Sequence, residues 1–382
     1  MKGVYLESKP RYEILDGLRG VAALVVVCYH LIECYPAEQV SKFFSHGYLA
    51  VDFFFALSGF VLGYAYDDRW GKMSTWGFFK RRITRLHPMV VMGTLVGVCL
   101  FYYTGDAEIF GRVDDTLWQI VLFQALLTLF MIPLPQSMDI RGWGELTSLN
   151  GPIWTLMYEY VANIIYALFL RRIGKITLGI LAALAAVLTM DCCLHLNLWG
   201  LLESDWNRYS VIGGFVFNPE HVYMGYVRLL YPFLIGLLLS RIGCTIRVKQ
   251  GFLVTSLMVL FMLCIPNLGE GRTLSDGIYQ LCCILFVFPL ILTIGAGSKL
   301  EGKRTSKLCV FLGEISFPLY ITHYPLIYMH TSWVHRHMNA PLGTHVIVAI
   351  STLIIALALA WAAFKLYDEP VRNWLKEHWL KK

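Results

Sequence analysis

Residues 16–34 read DGLRGVAALVVVCYHLIEC, and this stretch decides the fold. Nine apolar residues, 21–29, follow one another without interruption, and only Asp16, Arg19 and Glu33 carry a formal charge. A helix needs about 17–25 predominantly apolar residues to cross the hydrocarbon core of a bilayer. The sequence therefore predicts a transmembrane helix over 16–34.

Apolar segments of this kind recur along the whole chain. Hydrophobic residues make up 57% of the 382 residues and charged residues 15%, against about 25% charged residues in soluble domains. This composition predicts an all-α, polytopic membrane helical bundle. The lipid bilayer is therefore one of its expected partners. The net charge of +6 comes from short loops and does not indicate binding to nucleic acid. The candidate segments are 16–34, 48–66, 88–104, 117–134, 152–170, 176–195, 223–240, 251–266, 276–296, 308–330 and 344–364.

The distribution of Lys and Arg predicts the topology. If the N-terminus is cytoplasmic and 117–134 does not fully cross, 24 of these residues lie inside and 7 outside, with Arg19 in the first span. This is the asymmetry expected of membrane proteins, and it collapses if 117–134 crosses. We therefore expect ten transmembrane helices, both termini in the cytoplasm, and a re-entrant or interfacial segment at 117–134. No loop is long enough to form a second domain, so residues 1–382 form a single domain.

Two polar residues in the first span, Arg19 and His30, are candidates for function. They are eleven residues apart, which places both on one face of a helix with a rise of about 16 Å between them. Polar groups inside a membrane helix are costly and are commonly functional. The structural alternative is that Arg19 reaches lipid phosphates and that His30 bonds a neighbouring helix.

A second candidate site lies at the start of the third span, where Arg82 and Arg85 share one face of a helix. Two guanidinium groups on one face suit a ligand that carries phosphates. The alternative is that they are topology-determining charges close to anionic lipid.

The third candidate is Glu159, a carboxylate inside the fifth apolar segment, 152–170. An intramembrane carboxylate needs a partner or a proton, so Glu159 could orient a histidine, pair with an arginine or anchor the bundle. His323 is a weaker candidate, and an interhelical contact is its ordinary role. No spacing of Cys, His, Asp or Glu predicts a metal site.

These motifs together resemble the acyltransferase-3 family of bacterial membrane acyltransferases. The resemblance covers about residues 12–376, which we take as the core of the single domain, and depends on the order of the motifs. The matching stretches are Leu15-Asp16-Gly17-Leu18-Arg19-Gly20 with His30, residues 52–60, Arg82-Ile83-Thr84-Arg85 with Pro88, Trp154-Thr155-Leu156 with Glu159, Ser316–Tyr320 with His323, and Glu369-Pro370.

The resemblance implies a membrane O-acyltransferase of the bacterial inner membrane. The donor would be a cytoplasmic acyl-CoA, with acetyl-CoA expected, and no bound cofactor would be needed. The acceptor would be a hydroxyl of an extracytoplasmic carbohydrate or lipid-linked glycan. In this scheme Arg82 and Arg85 bind the phosphates of the donor, and His30 acts as general base or, as a variant, carries the acyl group. Arg19 steers the donor or stabilises charge, and Glu159 orients a partner.

A secondary transporter that exports a small solute or glycolipid is the alternative function. Ten spans with Arg, His and Glu inside the membrane fit a transporter as well, although no repeated halves are visible in the sequence. A purely structural scaffold would leave the ordered motifs unexplained. The largest outer loop, 196–222, is either part of an acceptor site or an ordinary connection.

Overall fold

The computed structural model describes residues 9–35, 45–268 and 272–380, and within them the chain is helical with no β-strand. The termini predicted to be cytoplasmic, 1–8 and 381–382, lie outside the described residues. The helices are α1 (Glu13–Glu33), α2 (Ala50–Tyr66), α3 (Thr75–Leu100), α4 (Trp118–Leu129), α5 (Ile153–Leu168), α6 (Lys175–Leu194), α7 (Pro219–Ile242), α8 (Gly251–Cys264), α9 (Leu274–Cys282), α10 (Phe288–Gly297), α11 (Lys303–Thr322), α12 (Tyr324–Arg336), α13 (Leu342–Ala362) and α14 (Glu369–Leu375).

Several helices begin where the sequence supplies a capping side chain. The Ser74 hydroxyl accepts a hydrogen bond from the backbone of Gly77 at the start of α3. Asn218 caps α7 in the same way, and Pro219 occupies the first turn, where its missing N–H costs nothing. Thr273 and Asp276 form a capping box at the start of α9.

The predicted class, a polytopic helical membrane protein, is confirmed, but the count of ten spans is not. In the part of the chain that the structure describes, eight helical stretches are long and apolar enough to cross a membrane. Two predicted spans are missing from this set. The span at 251–266 is α8, which has 14 residues, and the span at 308–330 is divided into α11 and α12. The eight stretches are Glu13–Glu33, Gly47–Tyr66, Thr75–Thr104, Ile153–Arg172, Lys175–Leu194, Pro219–Ile242, Leu274–Gly297 and Leu342–Leu380.

The division between α11 and α12 has a physical cause in Pro325. Proline has no backbone N–H, so it cannot donate to the carbonyl of Ile321 as a helical residue would. The amide nitrogen of Asn150 donates to that carbonyl instead, at 2.7 Å. The chain bends at His323, which is completely buried between the two helices.

Helix α4 agrees with the expectation that 117–134 does not fully cross the membrane. It has 12 residues, which gives a length of about 18 Å, well short of the roughly 30 Å of a hydrocarbon core. Its large apolar side chains are exposed, including Trp118, Leu122, Phe123 and Leu126. These side chains suit contact with lipid or with the membrane interface.

The long helices alternate in direction, so the bundle has two distinct ends. We call the end where α3 begins the basic end, and an ion pair between Lys9 and Asp68 (2.7 Å) lies there. We call the opposite end the loop end, because the connections 101–152 and 195–218 lie there. These connections contact each other, since the backbone of Leu146 donates to the carbonyl of Phe215 at 2.8 Å.

The tightest helix packing joins α2 and α7. Gly59 lies against the backbone of Phe233, and Gly236 lies against the backbone of Ala56, with no room for a Cβ atom at either position. Small residues allow membrane helices to approach closely where burial of apolar surface drives little association. This contact fixes α2, and therefore the polar side chains that α2 contributes to the centre of the bundle.

Candidate active site

His30 lies in the last turn of α1 at the loop end and is held by a carboxylate from its own helix. Its Nδ1 is 2.5 Å from Oε1 of Glu33, three residues further along the same face. The hydroxyl of Tyr29 also bonds to Glu33. When Glu33 is ionised it accepts from Nδ1–H, so Nε2 carries a free lone pair. Among the described residues no hydrogen bond engages Nε2.

Aromatic rings and a second histidine surround His30. The ring of His323 stacks on it with centroids 5.5 Å apart, and the ring of Tyr324 stands edge-on at 4.9 Å. Nδ1 of His323 faces the carbonyls of Leu319 and Tyr320, at 3.0 and 2.9 Å. Within the described part of the chain Nε2 of His323 has no partner. The weaker histidine candidate therefore lies directly against the stronger one.

A buried polar network lies behind Tyr324 and was not predicted from the sequence. The hydroxyl of Tyr328 donates to Glu145, and Tyr324 bonds to the same carboxyl group. The guanidinium of Arg141 lies over the ring of Tyr328, 3.7 Å from its centroid. Burial raises the pKa of Glu145, in the connection between α4 and α5, to about 7. Glu145 belongs to an irregular loop, where periodicity carries no information.

Arg19 lies in the basic half of α1 and is fixed to α11. Its Nε donates to Oγ of Ser316 at 2.7 Å, and its terminal nitrogen donates to the carbonyl of Gly313 at 2.9 Å. Asp16 adds a carboxylate at 3.4 Å. Arg19 contacts α11, and His30 contacts the junction of α11 and α12, so both side chains face the same partner, as their spacing predicts.

Glu159 contacts Arg82 and Ser58, and its role in catalysis stays a prediction. Its Oε1 accepts from a guanidinium nitrogen of Arg82 at 2.6 Å and from Oγ of Ser58 at 2.6 Å. The structure thus joins Glu159 to Arg82, and the carboxylate that orients His30 is Glu33. The sequence left this choice open, because a carboxylate in mid-span can serve a histidine or an arginine equally well.

The two arginines of the third span have different surroundings. Arg82 is buried, pairs with Glu159, and its Nε has no hydrogen-bond partner among the described residues. Arg85, one turn further along the same helix, has an exposed side chain. The charges of Arg19 and Arg82 act on it. Arg85 is therefore the arginine of the pair that is available to a ligand.

Asp52, from the second-span motif, has a structural role. It forms a completely buried ion pair with Arg228 of α7, at 2.8 Å. Arg228 also donates to the carbonyls of Tyr48 and Gly213. Removing one partner of such a pair is strongly destabilising, because it leaves an unpaired buried charge. Through Tyr48 and Gly213, the ion pair joins α2 and α7 to the turn before α2 and to the connection 195–218.

The geometry therefore separates two kinds of chemistry along one bundle. The loop end holds an oriented imidazole with an available nitrogen, which suits proton abstraction from a hydroxyl group. The basic half holds an accessible guanidinium among other cations, which suits an anionic ligand.

Over most of its length the chain is similar to a known protein family. The model of the acyltransferase domain that defines the acyltransferase-3 family matches residues 12–362. The acyltransferase MdmB of Streptomyces mycarofaciens is 26% identical over 346 residues, covering 87% of this chain and 82% of MdmB. The protein 2 of the picA locus of Rhizobium radiobacter is 36% identical over 191 residues, covering 48% of this chain and 95% of that protein.

A putative O-acetyltransferase of Staphylococcus aureus (strain COL) is 22% identical over 397 residues, covering 97% of this chain and 59% of that protein. No solved structure matches the chain. These relatives favour acyl transfer over solute transport. The family match extends over most of the chain, from before Arg19 to the end of α13, and the chain belongs to the acyltransferase-3 family of membrane acyltransferases.

Proposed function

We propose that this acyltransferase moves an acetyl group from cytoplasmic acetyl-CoA to a hydroxyl of an extracytoplasmic carbohydrate or lipid-linked glycan. It would do so in the bacterial inner membrane, with both termini in the cytoplasm and the loop end facing outward. The observation that carries the proposal is the 2.5 Å contact between Nδ1 of His30 and Glu33, which leaves Nε2 of an oriented imidazole for the substrate. Histidine is the side chain that most readily exchanges a proton near neutral pH.

Arg85 supports the donor half of the proposal. It is exposed and has the charges of Arg19 and Arg82 close by. Guanidinium groups bind phosphate oxygens by charge-assisted, bidentate hydrogen bonds. Arg85 would contact the phosphates of the donor directly. Arg82, which is paired with Glu159, would attract them electrostatically without direct contact. The pantetheine arm would then cover the rise of about 16 Å that separates Arg19 from His30 on α1.

His30 would act as general base on the acceptor. Nε2 takes the proton of the acceptor hydroxyl as its oxygen bonds to the thioester carbonyl carbon. When the tetrahedral intermediate collapses, the C–S bond breaks, the imidazolium returns the proton to the sulfur, and CoA leaves as the free thiol. Glu33 stabilises the imidazolium that forms between these steps. A transient acyl-His30 is the variant of this scheme.

The connection 195–218, which contains most of the predicted outer loop 196–222, supports the acceptor half of the proposal. Trp206 is exposed at the loop end, and the guanidinium of Arg272 lies 4.3 Å from the centroid of its ring. An aromatic face beside a hydrogen-bond donor is a suitable surface for a sugar ring. We propose that the acceptor approaches His30 across this surface.

The test is the release of free thiol from acetyl-CoA by the purified chain, with and without a crude cell-envelope glycan fraction. We expect release that depends on the glycan fraction, and its loss by roughly 10²–10⁴-fold in His30→Ala. His337→Ala is the matched control, because His337 is an exposed histidine at the same end of the bundle. Release that is equal in His30→Ala, or absent with every acyl-CoA and acceptor in folded protein, would contradict the proposal.

A further inference from the structure

A cluster of cations at the basic end includes two residues beyond the family match. The π-helical segment Ala363–Asp368 joins α13 to α14, which packs on α3 and brings Arg372 within electrostatic reach of Arg85. Lys376, four residues later, lies on the same face and within electrostatic reach of Arg372, Arg11 and Arg85. The family match ends at residue 362. Arg372 and Lys376 therefore lie after the residues that the family model matches, and neither is part of the Glu369-Pro370 motif.

Helix α14 continues as a π-helical segment over Lys376–Leu380, and we call the two together the C-terminal helix. Contacts with α3 hold this C-terminal helix in position. Lys80 donates to the carbonyl of Trp379 at 3.3 Å and lies over its ring. The ring of Trp76 stands edge-on to the ring of Trp379, with centroids 6.3 Å apart. These contacts bring the C-terminal helix against the first turns of α3, so the closeness of its cations to Arg85 is a result of packing.

Carboxylates neutralise this cluster only in part. The cations are Arg11, Arg19, Arg82, Arg85, Arg372 and Lys376. Among the described residues, three carboxylates form ion pairs with members of the cluster: Asp16 with Arg19, Glu159 with Arg82 and Asp368 with Arg372. Arg85 and Lys376 have no carboxylate within ion-pair distance among the described residues, and both are exposed.

Like charges held together repel one another, and the repulsion is larger near apolar surroundings than in bulk water. A fold keeps such a cluster at a cost in stability, which is the pattern expected of a binding site. An anion with several charges relieves the repulsion and gains charge-assisted hydrogen bonds. A single phosphate monoester carries about −1.5 to −2 charges at pH 7, and a nucleotide that also carries a diphosphate matches the surplus more fully.

We infer that Arg372 and Lys376 join Arg85 in a polyphosphate site, and that this site binds the phosphorylated nucleotide end of the acyl-CoA donor. The inference rests on the proposed function for the identity of the donor. It adds the C-terminal helix to the donor site and assigns it the 3′-phosphate of the nucleotide, because Arg372 and Lys376 are more exposed than the buried Arg82. Anionic phospholipid headgroups present the same chemistry, and the experiment below separates the two sources.

The test compares acetyl-CoA with acetyl-3′-dephospho-CoA as donors for the full chain and for Arg372→Gln and Lys376→Gln. We expect each variant to raise KM for acetyl-CoA by about tenfold or more, as for loss of a hydrogen bond to a charged group, with kcat unchanged. The increase should nearly vanish with the dephosphorylated donor. Arg372→Lys should restore most of the affinity. Lys72→Gln is the matched control, because it removes an exposed cation of the same end outside the cluster.

Equal KM values for wild type and both variants with both donors would overturn the inference while leaving the proposed function intact. If the wild type transfers no acetyl group, the equilibrium binding of desulfo-CoA tests the proposed nucleotide site independently of catalysis. Weaker binding in the variants but not in Lys72→Gln would support the site, and unchanged or absent binding would overturn it. The lipid arm uses nanodiscs of phosphatidylcholine with and without phosphatidylglycerol. If the variants retain less phosphatidylglycerol than the wild type but bind desulfo-CoA equally well, the site binds lipid headgroups. That outcome would overturn the inference that it binds the nucleotide.

Discussion

At the scale of single residues, the main result is that the carboxylates of Glu33 and Glu159 contact different functional side chains. Glu33 orients His30 at the loop end, and Glu159 neutralises Arg82 in the interior. A carboxylate beside an imidazole fixes its tautomer and stabilises its charged form, whereas a carboxylate beside a buried guanidinium prevents an unpaired charge. Substitution of each should therefore produce a different defect.

We predict that Glu33→Gln lowers kcat for acyl transfer by roughly tenfold to a hundredfold, less than the loss of His30 itself, because general acid–base catalysis contributes about 10²–10⁴-fold. KM for the donor should stay unchanged, since Glu33 lies at the opposite end from Arg85. Steady-state kinetics over a range of pH measures both effects, with Glu301→Gln as an exposed control. A change confined to KM would argue against an orienting role.

A second prediction at this scale concerns Glu145 and the pH dependence of stability. Its folded-state pKa of about 7 exceeds the ordinary value of 4.5, so the folded state favours the protonated acid. The folded state then loses stability as pH rises from 4.5, and the loss levels off above 7 at about 3 kcal/mol. Glu145→Gln mimics the protonated acid and should therefore stabilise the protein at pH 8 relative to wild type.

Thermal unfolding in detergent at pH 5 and at pH 8 measures this difference. The variant and the wild type should unfold at closer temperatures at pH 5, where Glu145 is protonated in the folded protein. A variant that is destabilised to the same extent at both pH values would show that Glu145 is needed as a carboxylate.

At the scale of elements, close packing of α2 on α7 holds the interior polar groups in place. The contact depends on Gly59 and Gly236, which lie directly on the backbone of the opposite helix. Ser58, next to Gly59, donates to Glu159, so the spacing of α2 also sets the position of the ion pair with Arg82.

We predict that Gly236→Ala destabilises the bundle by about 1–3 kcal/mol, because its Cβ would overlap the carbonyl of Ala56 and overpacking costs this much. Gly179→Ala is the matched control. Gly179 is also helical, and a Cβ there meets only the side chain of Leu238 at 3.9 Å. Thermal unfolding in detergent compares the two variants, and equal unfolding temperatures would contradict the close-packing explanation.

The sequence predicted the elements and the common face of Arg19 and His30, because both follow from helical periodicity. It also predicted that 117–134 does not fully cross, because positive charge is distributed asymmetrically between the two sides. It did not predict the break at His323, since the apolar pattern continues through Pro325. It did not predict Glu145 beside Tyr328, because contacts between residues 183 positions apart depend on how loops fold over the bundle.

At the scale of the whole molecule, the bundle keeps the candidate donor and acceptor chemistry at opposite ends of the same helices. His30 and the exposed Trp206 lie at the loop end, and Arg85 lies in the basic half. If the basic end is cytoplasmic, a donor from the cytoplasm and an acceptor from outside meet without either of them crossing the membrane completely.

We predict that labelling of single cysteines distinguishes the two ends in intact cells. In a variant without the ten native cysteines, Ser137→Cys at the loop end should react with a membrane-impermeant maleimide from outside. Gly71→Cys, an exposed position with open space around it, should react only in inside-out vesicles. Labelling of Ser137→Cys from the cytoplasm would mean that the predicted orientation or the number of crossings is incorrect.

The contact of Arg19 with Ser316 and Gly313 also bears on the electrical properties of the membrane. Gly20 lies against the backbone of Leu312, so α1 and α11 meet without a gap beside this guanidinium. A fixed positive charge in a closed seam repels protons and metal ions, as arginines do in selective pores. If the proposed thioester arm passes beside this seam, the charge of Arg19 would exclude protons and metal ions from the same path.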